Sequence, residues 1–172
     1  MRARAFTLIE ILLVVLIMGI GAAAVSLSLG SSLQRRQVQD VTTGVRQFDQ
    51  TSRHYARTFG QRIQLVFDLD GGRILRQQGD ASAAKLSGEY VLPQGYRLAG
   101  LLVDGRQCHD GRAAIHCSDR GCSPSYAVGI SDGKSTRWVL FAGLSGAAVE
   151  RDDEKDVQQT LAALLPLRHD TH

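Results

Sequence analysis

The most informative absences in this 172-residue sequence are those of charge and of proline. No charged side chain occurs from Ile11 to Gln34, a run of 24 residues, and no proline interrupts residues 6–59. Without proline, nothing in this stretch prevents a continuous helix. The sequence also has no phosphate-binding glycine loop, no paired acid and base and no catalytic metal spacing, so we do not expect an enzyme.

A long apolar run with one acidic residue at its start is present instead. A helix over this run would measure about 36 Å, which is enough to cross the roughly 30 Å hydrocarbon core of a membrane. Glu10 lies at the start of the run. A carboxylate there costs about 3 kcal/mol on insertion scales, and such residues are functional candidates. The sequence therefore predicts a membrane-spanning helix in which Glu10 requires a partner.

A secretory signal peptide cut near Ala24 is the simplest alternative, because a basic start precedes the run and small residues lie within it. However, the run exceeds the roughly 7–15 apolar residues of such signals, and Glu10 lies where they are purely apolar. A plain membrane anchor, in which Glu10 has no role, is the second alternative.

The segment from Ala5 to Glu10, AFTLIE, and the apolar residues after it resemble the N-terminal signature of type IV pilins and type II secretion pseudopilins. The resemblance implies that prepilin peptidase removes the leader, residues 1–5, by cutting between Ala5 and Phe6. It also implies methylation of the new N-terminus at Phe6. The family usually has glycine where this chain has Ala5. In an assembly, Glu10 would neutralise the amino group of a neighbouring Phe6, since pairing offsets the cost of burying charge.

The family also implies a location and a set of partners. The expected location is the inner membrane, crossed once, with the globular domain in the periplasm. The expected partners are other pseudopilins or pilins, the prepilin peptidase/methyltransferase, the inner-membrane assembly platform and membrane lipid. We expect no cofactor. Nucleic acid is not expected either, because the excess positive charge lies in residues 1–60, whereas the remainder is slightly acidic.

The sequence predicts an α+β fold in which one long N-terminal helix packs on a C-terminal antiparallel β-sheet, the pilin-like fold of the family. After the membrane-spanning half, residues 6–34, an amphipathic half is expected over residues 35–60. Its polar residues, Asp49 and Arg53 among them, are interpreted as a solvated face. Its apolar stripe consists of Val38, Val41, Val45, Phe48, Ser52, Tyr55 and Phe59.

From residue 61 the hydrophobic period changes from helical to alternating, which predicts an antiparallel β domain over residues 61–150. A loop is predicted over residues 77–85. The tail, residues 151–172, is predicted to contain a short amphipathic helix that ends at Pro166. Trp138 is interpreted as a core residue. The predicted strands are residues 63–69, 73–76, 89–92, 96–103, 125–130 and 137–142, and residues 143–149 extend or follow the last of them.

Looser similarity over residues 62–68 and 123–146 relates the chain to H-type minor pseudopilins and their fimbrial T-type relatives. The function implied is that of a structural minor pseudopilin, part of the periplasmic pseudopilus that drives protein export in type II secretion. A minor type IV pilin, active in pilus assembly, adhesion or DNA uptake, is the main alternative. A secreted globular binding module is a further one.

Three cysteines and two histidines occur within 15 residues. Outside the cytoplasm disulfides persist, so one disulfide and one free thiol are expected. The pair Cys108–Cys117 is slightly preferred, and Cys122 is the alternative partner. A zinc site formed with His109 and His116 is less well supported because the usual ligand spacings are absent, so no metal site is assigned.

Overall fold

The computed structural model describes residues 8–79 and 85–164, with side chains described for residues 9–20, 38–79 and 85–163. The chain divides into two units, residues 1–40 and residues 41–172. The first helix, α1 (Leu8–Phe59), begins in the first unit and ends in the second, directly before Gly60. The predicted long helix and its end are therefore confirmed for the described residues.

The second unit contains two antiparallel sheets and a second helix. The strands are β1 (Ile63–Asp68), β2 (Arg73–Gln78), β3 (Lys85–Val91), β4 (Arg97–Val103), β5 (Arg106–Cys108), β6 (Arg112–Cys117), β7 (Tyr126–Ser131), β8 (Thr136–Phe141) and β9 (Ala148–Arg151), followed by α2 (Glu154–Leu164). Sheet 1 has the order β3-β2-β1-β6, and sheet 2 has the order β5-β4-β7-β8-β9.

The predicted α+β class and the hairpins β1–β2 and β7–β8 are confirmed. Other predictions need correction. The structure has two sheets where one was expected, and the strands β5 and β6 were not predicted. The predicted loop over residues 77–85 is too long, because β2 continues to Gln78 and β3 begins at Lys85. Residues 80–84 lie outside the described residues.

The main core of the second unit lies between the two sheets and the C-terminal part of α1. Val41 and Val45 of the predicted stripe are buried in it, whereas Phe59 at the end of α1 is exposed. Tyr126 of β7 lies 5.6 Å from Phe67 of β1 and 4.8 Å from Phe141 of β8, measured between ring centroids. The contact between Tyr126 and Phe67 joins the two sheets.

A close approach of α1 to β3 makes Gly44 a stability determinant. A Cβ atom at this position would lie 2.7 Å from Cζ of Tyr90 and 2.8 Å from its Cε2. We expect Gly44→Ala to lower the free energy of unfolding by about 1–3 kcal/mol, because this overlap exceeds the gain of about 1 kcal/mol in helix propensity. Urea denaturation of both proteins measures the difference. A more stable Gly44→Ala protein would contradict the close packing of Tyr90 on α1.

The tail helix α2 packs on the face of sheet 2 opposite the main core. Its buried residues Val157 and Leu161 form a second cluster with four residues of sheet 2: Leu102, Ala127, Trp138 and Leu140. Oε1 of Glu154 also accepts a hydrogen bond from Nε2 of Gln107 at 2.7 Å. The prediction of a short amphipathic tail helix is confirmed, as is the core position of Trp138, while Pro166 lies outside the described residues.

Asp68 connects the β1–β2 hairpin to β6 and makes stability depend on pH. Its carboxylate accepts hydrogen bonds from Nε of Arg73 at 2.9 Å, from the Gly71 amide at 3.1 Å and from Nη2 of Arg112 at 3.3 Å. The hydrogen bond from Arg73 is the main reason that the pKa of Asp68 lies below its usual value. Asp68 therefore stabilises the fold above the ordinary aspartate pKa of about 3.9, and this stabilisation is lost as the pH falls through the lowered pKa.

We expect Asp68→Asn to be less stable than the unaltered protein at pH 7, and the difference should shrink as the pH falls below about 4. Urea denaturation midpoints of the two proteins, measured from pH 7 to pH 3, give this difference directly. A difference that stays constant over this range would show that the charge of Asp68 contributes nothing.

Candidate functional site

The first part of α1 carries an apolar surface that covers the helix on every side. From Ile9 to Ile20 the large apolar side chains are 47–76% exposed in the described structure. A helix that is apolar all round is stable only when lipid or protein covers it. This surface is therefore the first candidate functional feature of the chain.

Glu10 is the acidic residue in the first turn of α1, and its side chain is exposed within the apolar surface. A carboxylate near a helix N-terminus interacts favourably with the helix dipole. The predicted cleavage and methylation residues, Ala5 and Phe6, lie outside the described residues. The pairing predicted for Glu10 stays a prediction.

Among the described residues, no helix has an apolar stretch long enough to cross a membrane. The predicted span is residues 6–34. Residues 6 and 7 lie outside the described residues, as do the side chains of residues 8 and 21–34.

A buried ion pair on α1 was missed by the sequence interpretation. Asp49 and Arg53 were assigned to the solvated face, but each is only 2% exposed. Nε of Arg53 donates to Oδ2 of Asp49 at 2.7 Å, and the hydroxyl of Tyr126 donates to Oδ1 of Asp49 at 2.6 Å. The spacing of four residues between an acidic and a basic side chain was the available sequence signal.

The guanidinium group of Arg53 also holds two loops of the second unit against α1. Nη1 donates to the carbonyl oxygens of Gly121 at 3.1 Å and Gly143 at 2.8 Å, and Nη2 donates to Oγ of Ser123 at 2.8 Å. Burial by itself would lower the pKa of Arg53, but the charge and hydrogen bond of Asp49 offset this, and the pKa is raised. Arg53 therefore remains charged inside the fold.

The three cysteines lie near the ends of the two strands that were not predicted. Cys108 ends β5 in sheet 2, Cys117 ends β6 in sheet 1, and Cys122 lies in the turn after β6. All three are free thiols in this structure, so neither the preferred pair Cys108–Cys117 nor a pair with Cys122 is formed in it. The two strands that carry this pair belong to different sheets and are not hydrogen-bonded to each other.

A cavity of about 450 Å³ lies at the end of β6. Arg62, His116, Cys117 and Cys122 are among the residues that line it. Among the described residues, no group of three or more cysteine, histidine, aspartate or glutamate side chains is arranged to hold a metal ion. The cavity therefore combines two thiols with basic groups but does not form a metal-ligand set.

Comparison with known proteins gives a match to a family model and matches to solved structures. Residues 1–26 match the family model of the prokaryotic N-terminal methylation motif. The chain is also similar to a structure of the minor pseudopilin EpsH from the type 2 secretion system of Vibrio cholerae, with a TM-score of 0.50 and 14% sequence identity. That match covers 66% of this chain and 95% of the chain in the EpsH structure. The predicted fold is confirmed by this likeness.

A second EpsH structure from Vibrio cholerae matches with a TM-score of 0.48 and 16% identity, covering 64% of this chain and 94% of that chain. No curated protein matches the sequence significantly.

Proposed function

Since this chain combines an N-terminal methylation motif with the fold of a minor pseudopilin, we propose that it is a structural subunit of a type II secretion pseudopilus. In this proposal prepilin peptidase removes residues 1–5 and methylates Phe6. The protein stays in the inner membrane, with its β domain in the periplasm, until an inner-membrane platform assembles it with other pseudopilins. It has a structural role and no catalytic one.

The observation that carries the proposal is the exposed apolar surface of α1 with one carboxylate in it. Before assembly, lipid would cover this surface, and afterwards the helices of neighbouring subunits would cover it. Processing at Phe6 creates a new α-amino group, which is positively charged at neutral pH. Glu10 of one subunit and the amine of another can then neutralise each other, which favours a single register of packing.

The mature N-terminus provides the first test. In cells that contain prepilin peptidase, mass spectrometry of the purified protein should find N-methylated Phe6 as the first residue. The same cells without the peptidase should retain residues 1–5. A mature chain that begins near Val25 would indicate an ordinary signal peptide and would contradict the proposal.

The role of Glu10 can be tested against a matched acid on the same helix. We expect Glu10→Ala to leave the protein in the membrane fraction but to abolish its cross-linking to other pseudopilins, because the counter-charge of Phe6 is lost. Asp40→Asn is the control, since Asp40 is also an exposed acid of α1 but lies outside the apolar run. Equal cross-linking of the Glu10→Ala and Asp40→Asn proteins would refute the pairing.

Deletion of the gene tests the type of system. Loss of protein export, with pili intact, supports the secretion assignment. Loss of surface pili, adhesion or DNA uptake, with export intact, would instead make the protein a minor type IV pilin.

A further inference from the structure

We propose that Cys117 and Cys122 form a disulfide and that Cys108 remains a free thiol. Formation of this bond in cells requires an oxidising compartment, so the cellular part of this inference rests on the periplasmic location proposed above. The geometry that favours the pair does not depend on that location.

A tight turn brings the backbone of Cys122 back to the end of β6. The amide of Ser118, the residue after Cys117, donates to the carbonyl oxygen of Cys122 at 2.8 Å. The amide of Gly121 donates to the carbonyl oxygen of Ser118 at 2.9 Å, and the amide of Cys122 donates to Oγ of Ser118 at 3.2 Å. Cys122 is therefore the cysteine whose backbone is hydrogen-bonded next to Cys117.

The same two thiols share one cavity. Cys117 and Cys122 both line the 450 Å³ cavity at the end of β6, and Cys108 does not. Both cysteines therefore border the same space. Cys108, by contrast, ends β5 in sheet 2, which is not hydrogen-bonded to β6.

The reaction is a thiol–disulfide exchange with an external disulfide, such as oxidised glutathione or an oxidised dithiol protein. The half-buried Cys122 loses its proton and attacks the external disulfide, forming a mixed disulfide and releasing one reduced thiol. Cys117 then loses its proton and attacks Sγ of Cys122, which releases the second thiol. Two protons and two electrons leave the protein, and the external disulfide is reduced to two thiols.

The buried position of Cys117 affects the second step. Burial raises the pKa of its thiol to about 11, while the nearby charge of Arg53 opposes this. The thiolate is the reactive form, so closure of the disulfide should become faster as the pH rises. The completed bond would hold the turn beside Gly121 and Ser123, the two residues of this turn that Arg53 binds.

Trypsin provides a direct test, because it cuts after Arg112 and after Arg120 and places each cysteine in a different peptide. The peptides are residues 107–112, 113–120 and 121–134. The purified full-length protein in detergent is treated with oxidised glutathione, alkylated and digested without reductant. We expect peptides 113–120 and 121–134 to be linked, with a combined mass about 2 Da below that of the two free peptides.

Matched variants distinguish the pairings. Cys108→Ser should leave the linked peptides unchanged, whereas Cys122→Ser should abolish them. A linked species that contains residues 107–112, or three free thiols after oxidation in the unaltered protein, would overturn the pairing.

The same digestion of protein isolated from cells separates this inference from the proposed function. A bond that forms with glutathione but is absent from cellular protein would contradict the periplasmic location and leave the pairing intact. A protein that is processed at Phe6 and assembled, but never forms the bond, would overturn the pairing alone.

Discussion

Replacement of Arg53 by methionine should lower the free energy of unfolding by about 3–5 kcal/mol, because it leaves the buried carboxylate of Asp49 without its counter-charge. The carbonyl oxygens of Gly121 and Gly143 would lose their hydrogen bonds from the guanidinium group as well. Methionine has a similar length and keeps much of the packing. Urea denaturation in a mild detergent, followed by the fluorescence of Trp138, the single tryptophan of the chain, measures the loss.

Arg46 is a matched control on the same helix. Its Nη2 lies 2.8 Å from Oε1 of Glu150, but both side chains are about one-third exposed. Arg46→Met should therefore cost no more than about 1 kcal/mol. If the Arg53→Met protein were no less stable than the Arg46→Met protein, the ion pair of Arg53 and Asp49 would not be the buried connection described above.

Gly143→Ala should also lower the free energy of unfolding strongly, because backbone atoms surround this position. A Cβ atom would lie 2.7 Å from the carbonyl carbon of Pro124 and 2.8 Å from the amide nitrogen of Ser125. The Gly143 carbonyl also accepts a hydrogen bond from the Ser123 amide at 3.0 Å, so the two loops cannot separate without losing it. We expect a loss of at least about 3 kcal/mol in the free energy of unfolding.

Gly105→Ala provides the control for the added methyl group. Gly105 has a φ of 73°, and a Cβ atom there would meet no atom within 4 Å. This replacement should cost about 1 kcal/mol of backbone strain alone. Equal losses in the Gly143→Ala and Gly105→Ala proteins would show that the two loops can move apart, and urea denaturation distinguishes these results.

The elements predicted correctly from the sequence are those with a strong local signal. The apolar spacing of α1 and the glycines after β1 and between β7 and β8 fix local geometry, so the long helix and two hairpins could be predicted. The amphipathic pattern of α2, with acidic residues in its first turn, is also local. The N-terminal signature could be recognised because it combines specific residues at fixed spacing, and the match over residues 1–26 confirms it.

The errors concern contacts between residues that are distant in sequence. β6 joins sheet 1 by pairing with β1, about 50 residues earlier, and no local pattern predicts this pairing. Apolar Ile115 and Cys117 alternate with polar His116, but the cysteines and histidines here were interpreted as a disulfide or a zinc site and no strand was assigned. Arg53 looked solvated because the loops that cover it come 68 and 90 residues later.

The four outer strands of the two sheets are poor templates for the addition of further strands. β5 has three residues, β9 has four, β3 contains a bulge opposite Arg76 and Gln77, and β6 begins with the exposed Arg112. Short, irregular or charged edges disfavour edge-to-edge aggregation. Even at high local concentration, the β domains should therefore resist amyloid-like stacking.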